Sequence, residues 1–386
     1  MRLKKFLIVL LSLLFVSGCS GQAKQTADVK TPVETVIPSE QIIITIPENE
    51  SRFDTIVGPP TFTPSPEPTA TPTPTPTPKP TDIPEPTPTP KPYCADNNVY
   101  TFGWISDPQH YSAKYPEYYE SMTAFLRDHR EELHLEYIIH TGDLVNKTSD
   151  EKQWEVAVRA QSYIDDIPNG VLAGNHDCQQ PKLYGPYSTH FGEAHYKERP
   201  WYGDSYEDNR GHYDLMTIGK TDYLFVYMSF GLDDACIKWL NKVFEEHPDR
   251  VGFLMVHEYF NNDYKLSKDG IKLYNEVVLK NPNLYIVLCG HRYGAYTRSS
   301  EIDDDGDGDP DRIVDQMMFN YQAAGKTGGD GYLRLIQMDE ENKKMHILTY
   351  SPALDDFNRF DDPAKREIHY EIDETSEDFV LPIPWM

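Results

Sequence analysis

Five short segments of the sequence each place a side chain that can bind a metal directly after an apolar run. These side chains belong to Asp107, Asp143, Asn175, His257 and His291. Carboxylate and amide oxygens together with imidazole nitrogens suit one or two hard-to-borderline divalent cations. Taken singly, an Asp after Gly usually serves a turn and a His after a strand usually serves a loop. The conjunction of five such positions predicts a metal centre.

The elements that must position these side chains follow from the apolar pattern. The sequence predicts strands over 100–106, 136–140, 170–173, 223–229, 251–256 and 284–288. It predicts helices over 116–133, 233–246 and 268–279, and another that opens at a capping box over 148–151. This alternation is typical of an α/β fold whose helices cover a largely buried sheet. Functional residues in such folds gather outside the carboxyl ends of strands, so we expect the five side chains to meet there.

The motifs in these loops resemble those of the calcineurin-like metallophosphoesterase family. The matching segments are Asp107-Pro-Gln109, Gly142-Asp-Leu-Val-Asn146, Gly174-Asn-His-Asp177, His257 and Gly290-His-Arg-Tyr293. Their order and approximate spacing hold from about residue 99 to 298. The resemblance implies an α/β (α+β) fold, a β-sandwich of two mixed sheets flanked by helices. It also implies a hydrolase that acts on phosphate mono- or diesters through a metal-activated hydroxide.

The resemblance further implies which residues hold the metals, one or two divalent ions of the Mn, Fe or Zn class. One ion would be held by Asp143, Asn175, His257 and His291. The other would be held by Asp107, Asp143, Gln109 and the residue at Tyr293. Asp143 would then bridge the two ions, and His176 would protonate the leaving oxygen or bind phosphate. Asp143 and His176 are therefore the predicted catalytic residues.

Two of these positions depart from the family pattern. Gln109 and Tyr293 both stand where the family usually has histidine, and both fall on the same metal. Glutamine still offers a carbonyl oxygen, whereas Tyr293 either ligates as phenolate or turns away and forms a wall of the site. We therefore predict one firm metal site and one altered, weaker site. The same departures motivate an alternative function, a non-catalytic surface binding protein on a degenerate phosphoesterase scaffold.

An acidic segment and the overall charge bear on other ligands. Asp303, Asp305 and Asp307 match the opening of a calcium loop, but its twelfth position is Val314 instead of Glu. The segment is thus either a calcium site or a solvated acidic loop. The formal net charge of −26 argues against nucleic acid as a partner, because a phosphate backbone would be repelled.

The first 92 residues differ in composition from the rest. Residues 1–18 follow the pattern of a bacterial lipoprotein signal peptide ending before Cys19, although cleavage as a plain signal peptide is the alternative. Residues 19–60 form a polar tether, and the Thr/Pro-rich linker 61–92 favours extended polyproline II. Residues 93–386 then form the phosphoesterase domain. We expect an exported protein whose lipid at Cys19 binds the outer face of the cytoplasmic membrane and whose domain is displayed at the cell surface.

Overall fold

The computed structural model describes residues 92–96, 98–179, 183–362, 365 and 376–386. The predicted signal peptide, Cys19, the tether and all but the last residue of the linker lie outside this range. Within it, no helix combines the length and apolar character needed to cross a membrane.

Fourteen strands and eight α-helices follow one another along the described chain. The strands are β1 (Val99–Ile105), β2 (Leu135–His140), β3 (Asn169–Val171), β4 (Tyr202–Tyr206), β5 (Gly211–Ile218), β6 (Thr221–Met228), β7 (Val251–Val256), β8 (Leu284–Cys289), β9 (Gly294–Ile302), β10 (Arg312–Asn320), β11 (Leu333–Asp339), β12 (Lys344–Ser351), β13 (Asp356–Phe357) and β14 (Phe379–Pro382). The helices are α1 (Gln109–Lys114), α2 (Pro116–Asp128), α3 (Arg130–Leu133), α4 (Glu151–Ser162), α5 (Gly185–Phe191), α6 (Glu193–Tyr196), α7 (Asp234–Glu246) and α8 (Lys268–Glu276).

The strands form two mixed sheets of seven strands each. The first has the order β13-β12-β11-β1-β2-β3, with β14 also paired to β12. The second has the order β4-β5-β6-β7-β8-β10-β9. In the first sheet β1, β2 and β3 run parallel, and in the second β6, β7, β8 and β10 run parallel. The carboxyl ends of these strands therefore share one edge within each sheet.

Three hydrophobic cores hold the layers together. Alternate side chains of β7 show how, since Phe253 and Met255 point into the core between the sheets whereas Leu254 and Val256 point to the opposite face. That outer face is covered by α7 and α8, and the outer face of the first sheet is covered by α2 and α4. The predicted β-sandwich of two mixed sheets flanked by helices is confirmed.

Local boundaries differ from the sequence predictions in several places. The helix predicted over 116–133 is interrupted at His129, which divides it into α2 and α3. The helix α4 is capped by the Asp150 side chain, which accepts a hydrogen bond from the Lys152 backbone N–H. The expected cap by Thr148 was therefore wrong. Strands β4, β5, β9, β10, β13 and β14 were not predicted, and the acidic segment forms the turn between β9 and β10.

Candidate metal centre

The five predicted metal-binding side chains meet at the carboxyl edge of both sheets. Asp107, Asp143 and Asn175 follow β1, β2 and β3 of the first sheet, whereas His257 and His291 follow β7 and β8 of the second. The two sheets are joined there because His257 Nδ1 lies 2.8 Å from the carbonyl oxygen of Thr141, in the loop after β2. The site thus depends on the register between the sheets.

Three potential ligand atoms surround a fourth, His257 Nε2. It lies 3.1 Å from Asn175 Oδ1, 3.3 Å from Asp143 Oδ1 and 3.2 Å from His291 Nδ1. Metal–ligand bonds of roughly 2.0–2.3 Å place neighbouring ligand atoms roughly 3 Å apart. The set of two imidazole nitrogens, one carboxylate oxygen and one amide oxygen therefore fits a divalent cation.

The second nitrogen of each histidine is already engaged or directed elsewhere. His257 Nδ1–H donates to the Thr141 carbonyl, which leaves Nε2 as the nitrogen available to a metal. His291 presents Nδ1 to the site, while its Nε2 lies 3.7 Å from a carboxylate oxygen of Glu258. A carboxylate behind a ligating imidazole fixes the orientation of the ring.

Close approach of the loops requires glycine beside two of the acidic residues. A Cβ on Gly174 would lie 2.0 Å from Asp143 Oδ1, and a Cβ on Gly290 would lie 2.1 Å from Asp107 Oδ2. Asp107 and Asp143 adopt left-handed backbone conformations, with φ of 52° and 55°. Non-glycine residues rarely adopt this conformation, and it concentrates at functional sites.

Burial and mutual charge shift the pKa values of these groups in opposite directions. Burial raises the pKa of Asp107 to about 8, and the charge of Asp143 adds to this effect while that of His257 opposes it. Burial alone would lower the pKa of His257, but the carboxylates of Asp143 and Asp107 raise it to about 10. Burial and the positive charges of His257 and Arg292 lower the pKa of His291 to about 3. The cluster therefore stabilises a positive charge at His257 Nε2, where a cation would take the place of the proton.

The second predicted metal position has a different set of candidate ligand atoms. The carboxylates of Asp107 and Asp143 and the His257 imidazole present ligand atoms within 4.8 Å of one another. Gln109, however, directs its Nε2 at Asp143 Oδ2, at 3.0 Å, and also donates to Gln322 Oε1. The Gln109 amide nitrogen is a donor and cannot ligate a cation, while its buried Oε1 has no hydrogen-bond partner.

A pocket of about 110 Å³ opens onto this cluster. Its lining residues are Asp143, Asn175, His176, Asn262, His291, Arg292, Tyr293 and Gln322. His176 Nδ1 lies 2.9 Å from the Asn146 carbonyl oxygen, so Nε2 is the nitrogen available to a ligand. Tyr293 keeps 45% of its surface exposed, which fits the expected alternative of a wall of the site.

Four polar residues at the site were not predicted from the sequence: Glu258, Asn262, Arg292 and Gln322. Arg292 donates to Glu258 Oε1 at 3.2 Å, and its Nε is buried without a hydrogen-bond partner. Gln322 follows β10, whose carboxyl end lies beside that of β8. A prediction of β10 as a parallel strand would have directed attention to Gln322. The charge of Arg292, next to a predicted ligand, was the available signal for that residue.

The remaining predicted site residues lie away from this cluster. In the β9–β10 turn, the exposed carboxylates of Asp303, Asp305 and Asp311 present oxygens within 4.8 Å of one another. Asp307 instead accepts a hydrogen bond from the Asp309 backbone N–H at 2.9 Å. Calcium binding by this turn stays a prediction.

Comparison with known proteins identifies a family over the residues that build the centre. A family model described as calcineurin-like phosphoesterase matches residues 100–293, about half of the chain. "Uncharacterized protein YvnB" of Bacillus subtilis (strain 168) is 43% identical over 267 residues, which cover 68% of this chain and 21% of that protein. The chain thus spans about a fifth of the length of this relative.

Solved structures of low sequence identity also match. GAP50, the anchor in the inner membrane complex of Plasmodium, is 10% identical, with a TM-score of 0.40 over 67% of this chain and 86% of that chain. The 5'-nucleotidase precursor from Thermus thermophilus is 10% identical, with a TM-score of 0.38 over 67% of this chain and 53% of that chain.

Proposed function

Because the chain belongs to the calcineurin-like phosphoesterase family, we propose that its metal centre hydrolyses phosphate mono- or diesters at the outer surface of the cell. Family membership supports a metal-dependent hydrolase that acts on a phosphate ester. The observation that carries the proposal is the convergence of Asn175, Asp143 and His291 around His257 Nε2 at 3.1–3.3 Å.

The four converging residues are the proposed ligands of the firm metal site. Asn175 contributes a neutral oxygen, which limits the negative charge that an anionic substrate must approach. A divalent metal, when bound, neutralises phosphate charge and makes hydroxide available near neutral pH. Asp107 and Gln109 belong to the proposed weaker site, because the Gln109 amide donates to Asp143 instead of presenting oxygen there.

The residues that bind and protonate the substrate line the same pocket. Arg292 lines the pocket and keeps 36% of its side-chain surface exposed, so its guanidinium can donate to a phosphate oxygen there. Glu258 holds the other end of this guanidinium at 3.2 Å. In its protonated form His176 gives the Nε2 proton to the leaving oxygen while Asn146 holds its Nδ1.

A single substitution tests the proposal. Asp143→Asn removes a buried carboxylate charge from the centre and should abolish manganese-dependent release of nitrophenol from p-nitrophenyl phosphate. Asp249→Asn is the matched control, since Asp249 is exposed in the loop after α7 and lies outside the pocket lining. Activity that survives Asp143→Asn would refute this mechanism.

A non-catalytic binding protein is the second candidate, and the Gln109 contact with Asp143 is the observation that favours it. Metal-dependent turnover separates the two candidates. A panel of phosphate mono- and diesters, assayed with and without added manganese, should give turnover of at least one class. Metal binding without turnover of any ester would favour the binding protein.

The proposed cell-surface location rests on the lipobox at Cys19 and on the Thr/Pro-rich linker. Cys19→Ala should move the protein from the membrane fraction to the medium or the soluble fraction. Cys94→Ala is the control, and unchanged membrane association of the Cys19 variant would contradict the proposal.

A further inference from the structure

A second pocket adjoins the metal centre and has a different electrostatic character. Its volume is about 240 Å³, and its lining residues are His110, Lys114, Tyr115, Gln322, Gly325, Lys326, Thr327 and Gly328. Gln322 lines both this pocket and the metal-site pocket. The two spaces are therefore neighbours that share one buried side chain in their linings.

The shared wall is tied directly to the metal centre. Gln322 Oε1 accepts a hydrogen bond from Gln109 Nε2, which also donates to Asp143 Oδ2 at 3.0 Å. The Gln322 backbone N–H in turn donates to Asn320 Oδ1 at 2.8 Å. A group in the second pocket would thus lie one glutamine side chain away from a group at the metal centre.

The outer wall of the second pocket is a loop with its own internal bonds. Gly328 lies against the His110 ring, where its φ of +92° and the 2.5 Å gap from an added Cβ to His110 Cβ both require glycine. Asp330 accepts from Thr327 Oγ1 at 2.5 Å and from Arg359 Nε at 3.1 Å. The Asp330 carboxylate is thereby engaged with other partners, and it does not line the pocket.

Charge distinguishes this pocket from the rest of the surface. The chain carries 62 acidic residues and 36 lysines and arginines, yet the described lining contains two lysines and no carboxylate. Cationic groups in a concave surface attract anions locally even on a protein of net negative charge. We propose that this pocket receives a second anionic group of the substrate, so that preferred substrates are phosphate esters whose leaving group carries another phosphate or a carboxylate.

This inference rests on the proposed hydrolysis, and it is tested with substrates that differ only in the second charge. Ethylene, propane-1,3-diol and butane-1,4-diol bisphosphates are compared with ethyl, propyl and butyl phosphate, using the full chain with manganese and following phosphate release. The phosphate ester of 3-hydroxypropanoate places a carboxylate instead of the second phosphate. The second anionic group is identified by which of the two three-carbon compounds, the bisphosphate or the carboxylate, has a higher kcat/KM than propyl phosphate.

The two lysines are then removed together. Lys114→Gln/Lys326→Gln should lower the kcat/KM for the preferred substrate, relative to that for the matching monophosphate, by roughly tenfold. Both lysines are exposed, and each exposed ion pair changes affinity by about threefold. Lys238→Gln/Lys280→Gln is the charge-matched control, because both lysines are exposed and line neither pocket. This control should retain the native preference.

Two results would overturn the inference while leaving the proposed function intact. One is equal kcat/KM, in the native chain, for esters with two anionic groups and for esters with one. The other is an equal loss of preference in the pocket variant and the control. If no ester is hydrolysed, the proposed function fails. The second-anion pocket is then tested separately, by calorimetric measurement of propane-1,3-diol bisphosphate binding. Binding weakened about tenfold by the pocket substitutions supports the second-anion pocket, and unchanged binding refutes it.

Discussion

Asp177 provides a quantitative test of how the loops of the metal centre are held together. Its side chain is fully buried, and its Oδ2 accepts from the backbone N–H groups of Leu144 and Gly174 at 3.1 and 2.7 Å. Its Oδ1 accepts from the Val145 N–H at 3.0 Å. These bonds join the loop that carries Asp143 to the loop that carries Asn175. Asp177→Ala therefore leaves three buried donors without acceptors.

Each such donor costs about 1–3 kcal/mol when it is left unsatisfied. Because local relaxation and entry of water recover part of this cost, we expect Asp177→Ala to lower the free energy of unfolding by about 3–5 kcal/mol. Asp177→Asn keeps one acceptor oxygen and should lose about 1–3 kcal/mol. The loops that orient two proposed ligands would also loosen, so manganese affinity should fall about 10–100-fold in the alanine variant.

Urea unfolding of the metal-free chain at pH 8 measures the predicted changes in the free energy of unfolding. Burial and the charge of Asp143 raise the pKa of Asp177 to about 7, although hydrogen bonds from backbone N–H groups oppose the increase. Because this pKa lies below 8, the carboxylate is largely ionised in the measurement. Manganese affinity is measured separately by calorimetry. A loss below about 1 kcal/mol for Asp177→Ala, or equal losses in both variants, would refute this account of the loop contacts.

Three further variants have defined outcomes. Burial raises the pKa of Asp214 well above its ordinary range, so the stability that Asp214 contributes is present at low pH and is lost as the pH rises above about 4. In urea unfolding, Asp214→Asn should therefore gain stability relative to the native chain from pH 4 to 8. A difference in stability that does not change with pH would contradict this. An added Cβ on Gly170 would lie 2.4 Å from a buried tyrosine ring, so Gly170→Ala should cost about 1–3 kcal/mol in thermal unfolding; Gly185→Ala, with nothing within 4 Å, is the control, and equal melting temperatures would count against the packing argument. Gln109→His with Tyr293→His should raise bound manganese from about one to about two ions per chain in elemental analysis, and an unchanged ratio would show that other residues limit the weaker site.

Sequence reasoning pointed to the candidate metal centre because its proposed ligands share a local signature. Asp143 and Asn175 each follow a glycine that follows a short apolar strand, and His291 follows Gly290 in the same way. Parallel strands bring such positions to one edge of a sheet without detailed knowledge of packing. The layer order of the fold came with the family resemblance that these segments carry.

The unpredicted parts depend on distant pairings and on side-chain direction. Strand β10, RIVDQMMFN, mixes charged and apolar residues, and its position follows from parallel pairing with β8 across the β9 hairpin. Gln322 could not be assigned to the site without that pairing. The Gln109 contact with Asp143 depends on the rotation of one amide, which residue type alone does not determine.

The most direct test of the metal centre is the anomalous scattering of manganese in soaked crystals of the full chain. We predict the strongest peak between His257 Nε2, His291 Nδ1, Asn175 Oδ1 and Asp143 Oδ1, with a weaker second peak near Asp107. Two equally strong peaks would contradict the difference between the two sites. No peak among the four converging atoms would contradict the metal-dependent mechanism itself.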